Sequence, residues 1–110
     1  MRGMEGEMLK GHLDMIVLAA LAAGPAHGYA VIEEIKRRSG QKFNLPEGTV
    51  YPALHRLERR GWIKARWGTS ENNRKAKFYE LTKAGRRQLE IEQDAWQKLT
   101  AAVSQILETA

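Results

Sequence analysis

Basic residues are concentrated in one segment of this chain. Between Arg56 and Arg87 there are eleven Lys or Arg residues and three Glu residues, a local net charge of +8. Residues 1–55 carry equal numbers of basic and acidic groups, and residues 88–110 are net acidic, so the formal net charge of the whole chain is +5. A positive field confined to one segment predicts a polyanionic partner such as double-stranded DNA rather than a small substrate.

The residue types that usually carry catalysis or bind metals show no such pattern here. His12, His27 and His55 share no metal-ligand spacing and are not paired with carboxylates as catalytic dyads, and no glycine-rich phosphate loop is present. The chain has no cysteine, which excludes disulfides and thiolate metal sites and fits a reducing compartment. We expect no catalytic residue, no metal, no cofactor and no enzymatic activity.

Length and composition indicate one small globular unit. The 110 residues are 28% charged and 43% hydrophobic, and a chain of this size would benefit from a partner subunit to cover its core. The first ten residues are too polar for a signal peptide, and the apolar run over residues 13–23 is too short to span a bilayer. These features predict a cytoplasmic protein with no membrane association.

Hydrophobic periodicity and turn residues predict seven elements. In order they are a helix from about Leu9, a helix over Gly28–Arg38, a brief strand at Lys42–Leu45, a helix from Pro46 to about Arg60, strands at Trp62–Trp67 and Lys75–Leu81, and a helix capped by Thr82 that runs almost to Ala110. A helix-turn-helix followed by a β-hairpin is the winged-helix arrangement, so the predicted fold is mainly α (α+β) with a long C-terminal helix.

The third helix has an apolar face, with Val50, Leu54 and Leu57 together, and a polar face suited to DNA. The polar face is predicted to carry Gly48, Pro52, His55, Arg56 and Arg59. An Arg at position 56 or 59 could bond guanine O6 and N7, and the Pro52 ring could contact a thymine methyl group. The alternative is an ordinary solvated helix face.

Residues beside that face and on the hairpin add possible phosphate contacts. Hydroxyl groups of Thr49 and Tyr51 could position the protein on the DNA backbone without reading sequence. The turn of the hairpin carries three cations, Arg74, Lys75 and Lys77, and each phosphate neutralised by such a group makes binding more sensitive to salt. A basic turn is often plain surface, but beside an arginine-bearing helix it is the expected second contact.

The last helix has a short heptad pattern. Leu89, Trp96 and Val103 are seven residues apart, and Leu99 and Ile106 repeat by seven on the neighbouring line. The first helix is apolar on two sides, including Met15, so a homodimer through both helices is the favoured interpretation. The alternative is a helix that packs on its own domain.

Trp96 is a candidate for stacking against a flat ligand at such a dimer interface. Met8 and Met15 could line the same space, because methionine adapts to irregular shapes. Plain interface packing is an equally good interpretation of these three residues.

The chain resembles the PadR family of bacterial transcriptional regulators. The resemblance rests on Gly24-Pro25 with His27-Gly28-Tyr29, the run Gly48-Thr49-Val50-Tyr51-Pro52-Ala53-Leu54-His55-Arg56-Leu57-Glu58, Gly61-Trp62-Ile63, Arg74-Lys75 with Phe78-Tyr79, and Leu81-Thr82-Lys83-Ala84-Gly85-Arg86. It covers nearly the whole chain and points to the short subfamily with a single C-terminal helix.

The resemblance implies a dimeric winged-helix protein that binds a palindromic operator, usually as a repressor, and that a small aromatic or planar cationic molecule can release. It also places Tyr29, together with positions 49, 51 and 52, near DNA. Residues 1–81, with an arm over 1–10, would then bind DNA, and residues 82–110 would dimerise. The competing function is a winged-helix module that binds proteins.

Four positions depart from the family pattern or vary within it. Pro46 stands where relatives often have a serine cap. Trp62, Trp67 and Phe78 are expected to pack the hairpin on the core.

Overall fold

The computed structural model describes residue 9 and residues 11–110, and within them it has four helices and one three-stranded sheet. The predicted winged-helix α+β architecture is confirmed. The helices are α1 (Leu13–Leu21), α2 (Gly28–Arg38), α3 (Glu47–Arg59) and α4 (Lys83–Glu108), and the strands are β1 (Ala26–His27), β2 (Ile63–Thr69) and β3 (Lys75–Leu81).

One hydrophobic core holds α1, α2, α3 and the base of the hairpin together. Each of these helices contributes residues spaced by three or four, which places their side chains on one face. The predicted core edge of α3 is confirmed, because Val50, Leu54 and Leu57 are fully buried, and Leu18 of α1 and Ile63 of β2 lie in the same cluster. This packing fixes which face of α3 turns outward.

The sheet has the order β1-β3-β2, with antiparallel pairing throughout. The predicted strand at Lys42–Leu45 is wrong: that segment has irregular backbone between α2 and α3, and its Leu45 side chain is inserted into the core. The short strand is instead Ala26–His27, directly before α2, where it pairs with the free edge of β3. An alternating apolar pattern over four residues did not distinguish a strand from a loop with one buried anchor.

The start of α4 is fixed tightly to the domain. The Thr82 side chain caps the helix by accepting a hydrogen bond from the Gly85 N–H at 3.0 Å, which confirms the predicted cap. Gly85 lies against the backbone carbonyl of Trp62, so a Cβ at this position would collide with main chain. Leu89, one turn further along, is the last residue of α4 in the hydrophobic core.

Among the described residues, no helix combines the length and the apolarity that crossing a bilayer requires.

Candidate nucleic-acid interface

The outward face of α3 is formed by residues that the core packing leaves in solvent. Pro46 precedes the helix in extended conformation and no side chain of the described residues caps the first turn, so the uncapped N–H groups of this turn are available to an anionic ligand. Gly48, Pro52, His55 and Arg59 are all exposed on this face. Pro52 lies inside the helix, where it removes one backbone donor.

Arg56 does not belong to this face, although the sequence pattern grouped it there. Its Nη2 atom lies 2.5 Å from Oδ1 of Asp14 on α1, and Nη1 of Arg60 lies 3.7 Å from the other oxygen of the same carboxylate. Arg56 lies on the side of α3 that packs beside α1, next to the outward face and not on it. Its charge is therefore compensated within the domain.

A groove of about 1170 Å³ separates α2 from the hairpin. It brings together five of the predicted DNA-binding residues, which are Tyr29, Tyr51, Arg74, Lys75 and Lys77. The other five do not line it: Pro52, His55 and Arg59 are on the adjoining outward face of α3, and Thr49 and Arg56 are half-buried. Three carboxylates also line the groove, Glu33, Glu34 and Glu71, so its walls carry both signs of charge.

Tyr51 is positioned by direct contact with the first residue of α2. Its ring occupies the space that a side chain at Gly28 would need, so glycine at position 28 is required for this approach of α3 to α2. Burial, followed by the nearby Glu47 carboxylate, raises the pKa of the Tyr51 hydroxyl above its usual value. The hydroxyl stays protonated at neutral pH and can donate a hydrogen bond to a phosphate oxygen.

Two side-chain contacts join the wing, which is the hairpin of β2, β3 and the turn between them, to the rest of the domain. The Nζ atom of Lys77 lies 3.6 Å from Oε1 of Glu58 on α3. His27 caps α2 by accepting a hydrogen bond from the Ala30 N–H through Nδ1, and its Nε2 lies 4.0 Å from Oε1 of Glu71 in the turn. These contacts hold the cations of the turn next to α2 and α3.

The three hairpin aromatics occupy different environments. Trp62 packs partly against the core, as predicted. For Phe78 the prediction of core packing is wrong, because it lies on the outer face of the sheet, against the Arg66 guanidinium and the His27 ring. For Trp67 the prediction of core packing is wrong, because its side chain is 62% exposed and lines the groove. Trp67 shares the core-facing side of the sheet with Ile63 and Ala65, but it lies two residues closer to the turn, where the core has ended. The alternation of side chains along a strand predicts which face a residue occupies and does not predict how far the core extends.

The apolar face of α4 is split between the domain and solvent. Leu89, predicted at the dimer interface, is buried in its own core. Trp96, Leu99, Val103 and Ile106 are exposed. Leu107 is exposed as well and lies on the same line as Leu89, a position that the heptad pattern did not select.

A cavity of about 290 Å³ lies between the start of α1 and α4. Two of the predicted ligand-stacking residues, Met15 and Trp96, line it, and the third, Met8, is outside the described residues. The His12 ring meets the Trp96 ring edge-on at a centroid distance of 5.0 Å. Two carboxylates also line the cavity: Asp14, which pairs with Arg56 and Arg60, and Glu92, which accepts a hydrogen bond from Gln88 Nε2.

The fold and this interface define a winged-helix regulator. The family model of the PadR-like transcriptional regulators matches residues 17–91, and the chain belongs to this family. Members of the family regulate transcription and bind DNA; they are not enzymes.

Comparison with individual proteins agrees with this assignment. The chain is similar to the crystal structure of a PadR-like transcriptional regulator from Bacillus cereus, with 26% identity, a TM-score of 0.80 and coverage of 93% of this chain and 97% of the other. It is also similar to a PadR family transcriptional regulator from Eggerthella lenta, with 31% identity, a TM-score of 0.80 and coverage of 94% and 88%. An uncharacterized protein of Lysinibacillus sphaericus is 28% identical over 102 residues, covering 93% of this chain and 94% of the relative.

Proposed function

We propose that the protein is a dimeric repressor that binds a palindromic operator. The observation that carries this proposal is the continuity of two surfaces: the exposed face of α3 with Pro52, His55 and Arg59 adjoins the groove in which Tyr29 and Tyr51 face the cations of the wing. In this arrangement α3 enters the major groove, Arg59 bonds a guanine, and the tyrosine hydroxyls and wing cations contact phosphates. Residues 1–81 form the DNA-binding part.

Residues 82–110 form the dimerisation part. Beyond Leu89, α4 exposes a row of large apolar side chains, and among the described residues Trp96 keeps only an edge-on contact with the His12 ring. An exposed apolar row of this length on a small regulator is stabilised by burial against a second copy. Met15 on α1 borders the same region through the cavity and completes the interface. Two-fold symmetry then presents two copies of α3 about one DNA turn, roughly 34 Å, apart.

The test combines a charge substitution with a salt titration. Leu99→Glu places a carboxylate in the apolar row and is expected to give monomers that no longer bind specifically to the protein's own promoter region. The control is Ala101→Glu, which adds the same charge at an exposed position on the other side of α4. Sedimentation and binding are measured from low to moderate salt. If the Leu99→Glu variant remains a dimer, the proposed interface is wrong. If the wild-type protein binds no duplex DNA at low salt, the proposed DNA-binding function is wrong.

Release from DNA would follow from a ligand in the cavity between α1 and α4. Trp96 provides a stacking surface, and the Glu92 carboxylate, which forms no ion pair among the described residues, favours a planar organic cation. Asp14 also holds Arg56 and Arg60 of the α3 segment, so the cavity and the DNA-reading helix share one carboxylate.

A planar cationic dye is the probe for this site. We expect it to quench tryptophan emission in the wild-type protein and to bind about 5- to 30-fold more weakly to Trp96→Ala, since stacking on an aromatic ring contributes about 1–2 kcal/mol. Equal dye affinity of the two proteins would remove the ligand proposal while leaving the DNA-binding proposal intact.

A further inference from the structure

Trp67 is the exposed aromatic residue of the wing, and the surfaces assigned so far give it no role. Its side chain is 62% exposed. A tryptophan buries a large apolar area when it finds a partner, so leaving most of the ring in water forgoes that stabilisation. The Lys75 amine lies over this ring, with its Nζ 5.2 Å from the ring centroid.

The strand register places Trp67 on the side of the hairpin that faces the core. Trp67 of β2 pairs with Lys77 of β3, and Ala65 pairs with Tyr79, which is buried. Paired residues of antiparallel strands share a sheet face, so Trp67 points to the same side as Lys77 and the core. It lies further toward the tip than the core extends and therefore projects into the groove between α2 and the hairpin.

The composition of the groove identifies what covers the ring. The groove that Trp67 lines carries five cations, Lys36, Arg37, Arg74, Lys75 and Lys77, against three carboxylates, Glu33, Glu34 and Glu71, together with three tyrosine rings. This excess of cations, interleaved with aromatic rings, is suited to a nucleic-acid backbone, whose phosphates pair with the cations and whose sugar carbons pack on the rings.

We infer that Trp67 is a DNA-contacting residue that packs its indole against the deoxyribose of a backbone segment held by the wing cations. This inference rests on the proposed DNA-binding function and adds a component that is not electrostatic. Because the indole neutralises no phosphate, it increases affinity without changing the number of counterions released. Because every nucleotide offers the same sugar, it increases specific and nonspecific affinity alike.

The experiment separates this apolar contact from the charged ones by their salt dependence. Trp67→Ala is expected to lower affinity about tenfold for both operator and random duplex at every salt concentration, with an unchanged slope of log affinity against log salt, and Trp67→Phe is expected to recover most of the loss. Lys75→Gln on the same face should instead reduce the slope by about 0.9. Lys64→Gln, on the opposite sheet face, is the matched control and should leave both quantities unchanged.

Fluorescence gives an independent measurement in the intact protein. The chain has three tryptophans, so the variant Trp62→Phe with Trp96→Phe leaves Trp67 as the single emitter. Saturating duplex should change the emission of Trp67, since the ring moves from water into a contact. Wild-type binding to DNA together with unchanged Trp67 emission and a neutral Trp67→Ala variant would overturn the inference alone. A wild-type protein that binds no duplex at low salt would overturn the proposed function and this inference with it.

Discussion

Arg56 and Arg59 lie three residues apart on the same helix, yet the fold treats their charges in opposite ways. Arg56 turns toward α1, where the Asp14 carboxylate compensates it and also approaches Arg60. Arg59 is exposed beside Pro52 and His55, and no ion pair involves it within the described part of the chain. The comparison shows that a cluster of basic residues in sequence is not the same as a cluster of available charge, because the partner that removes a charge can be forty residues away.

The largest expected effect distinguishes the two arginines directly. Arg59→Ala should weaken operator binding about 10- to 100-fold, since a bidentate contact to a guanine contributes about 1–3 kcal/mol of discrimination. Arg56→Ala should change operator affinity less than about threefold, because that guanidinium already pairs with Asp14. Equilibrium titrations of operator and random duplex at one salt concentration measure both values. Equal losses in the two variants would contradict the distinction between the outward face of α3 and its side beside α1.

Neutralising the Asp14 carboxylate is expected to increase DNA affinity, by less than Arg59→Ala decreases it. Asp14→Asn releases Arg56 and Arg60, so nonspecific affinity should increase several-fold and the salt slope should steepen by as much as about 2. Folding stability should fall by no more than about 1 kcal/mol, because these side chains are partly exposed and the ion pairs are screened.

The matched control for Asp14→Asn removes a carboxylate that pairs with a lysine far from α3. Asp94 lies 3.0 Å from Lys98 on α4, and Asp94→Asn should leave DNA binding unchanged. A salt slope that is the same in Asp14→Asn and wild-type protein would show that Asp14 does not screen the side of α3 beside α1.

A small change in operator affinity, within the same limit as that of Arg56→Ala, is expected at Pro52. Pro52→Ala restores a helical N–H and should raise the free energy of unfolding by up to about 3 kcal/mol, while operator affinity falls no more than about threefold with the loss of one methyl contact. Thermal unfolding and binding are measured on the same sample. Unchanged or lower stability would mean that the proline costs the helix nothing, and its position on the outward face would then carry no functional argument.

Much of the fold could be predicted because its signals are local. The apolar spacing of α3, the Thr82 cap and the limits of β3 each depend on neighbouring residues, and the structure agrees with them. The segment at Lys42–Leu45 failed because whether a chain pairs as a strand depends on which edge of β3 is free, and residues before α2 occupy that edge.

The site could be predicted only in outline, because the environment of several of its residues depends on partners that are distant in the sequence. Arg56 was placed by helix geometry, but a carboxylate on α1 determines its availability. Trp67 was expected to pack the hairpin on the core; it does share a sheet face with Ile63 and Ala65, but it is 62% exposed because the core ends before it. Leu89 shares its heptad with Trp96, and the docking of α4 through Gly85 assigns one to the domain interior and the other to the surface.

Because α4 is docked near its N-terminal end, a small rotation of the helix there moves its C-terminal end by a larger distance. Its 26 residues extend about 39 Å at 1.5 Å per residue. Gly85 against the Trp62 carbonyl and the buried Leu89 hold its first two turns, and Trp96 two turns further along contacts the His12 ring, so the last three turns project beyond these contacts. A tilt of α4 by about 5° around Leu89 displaces Ile106 by about 2 Å, because the two residues are about 25 Å apart at 1.5 Å per residue. Two such helices joined at their free halves would convert sub-ångström changes at the glycine contact into a different spacing between the halves of the molecule, and thus into a preference for one length of operator over another.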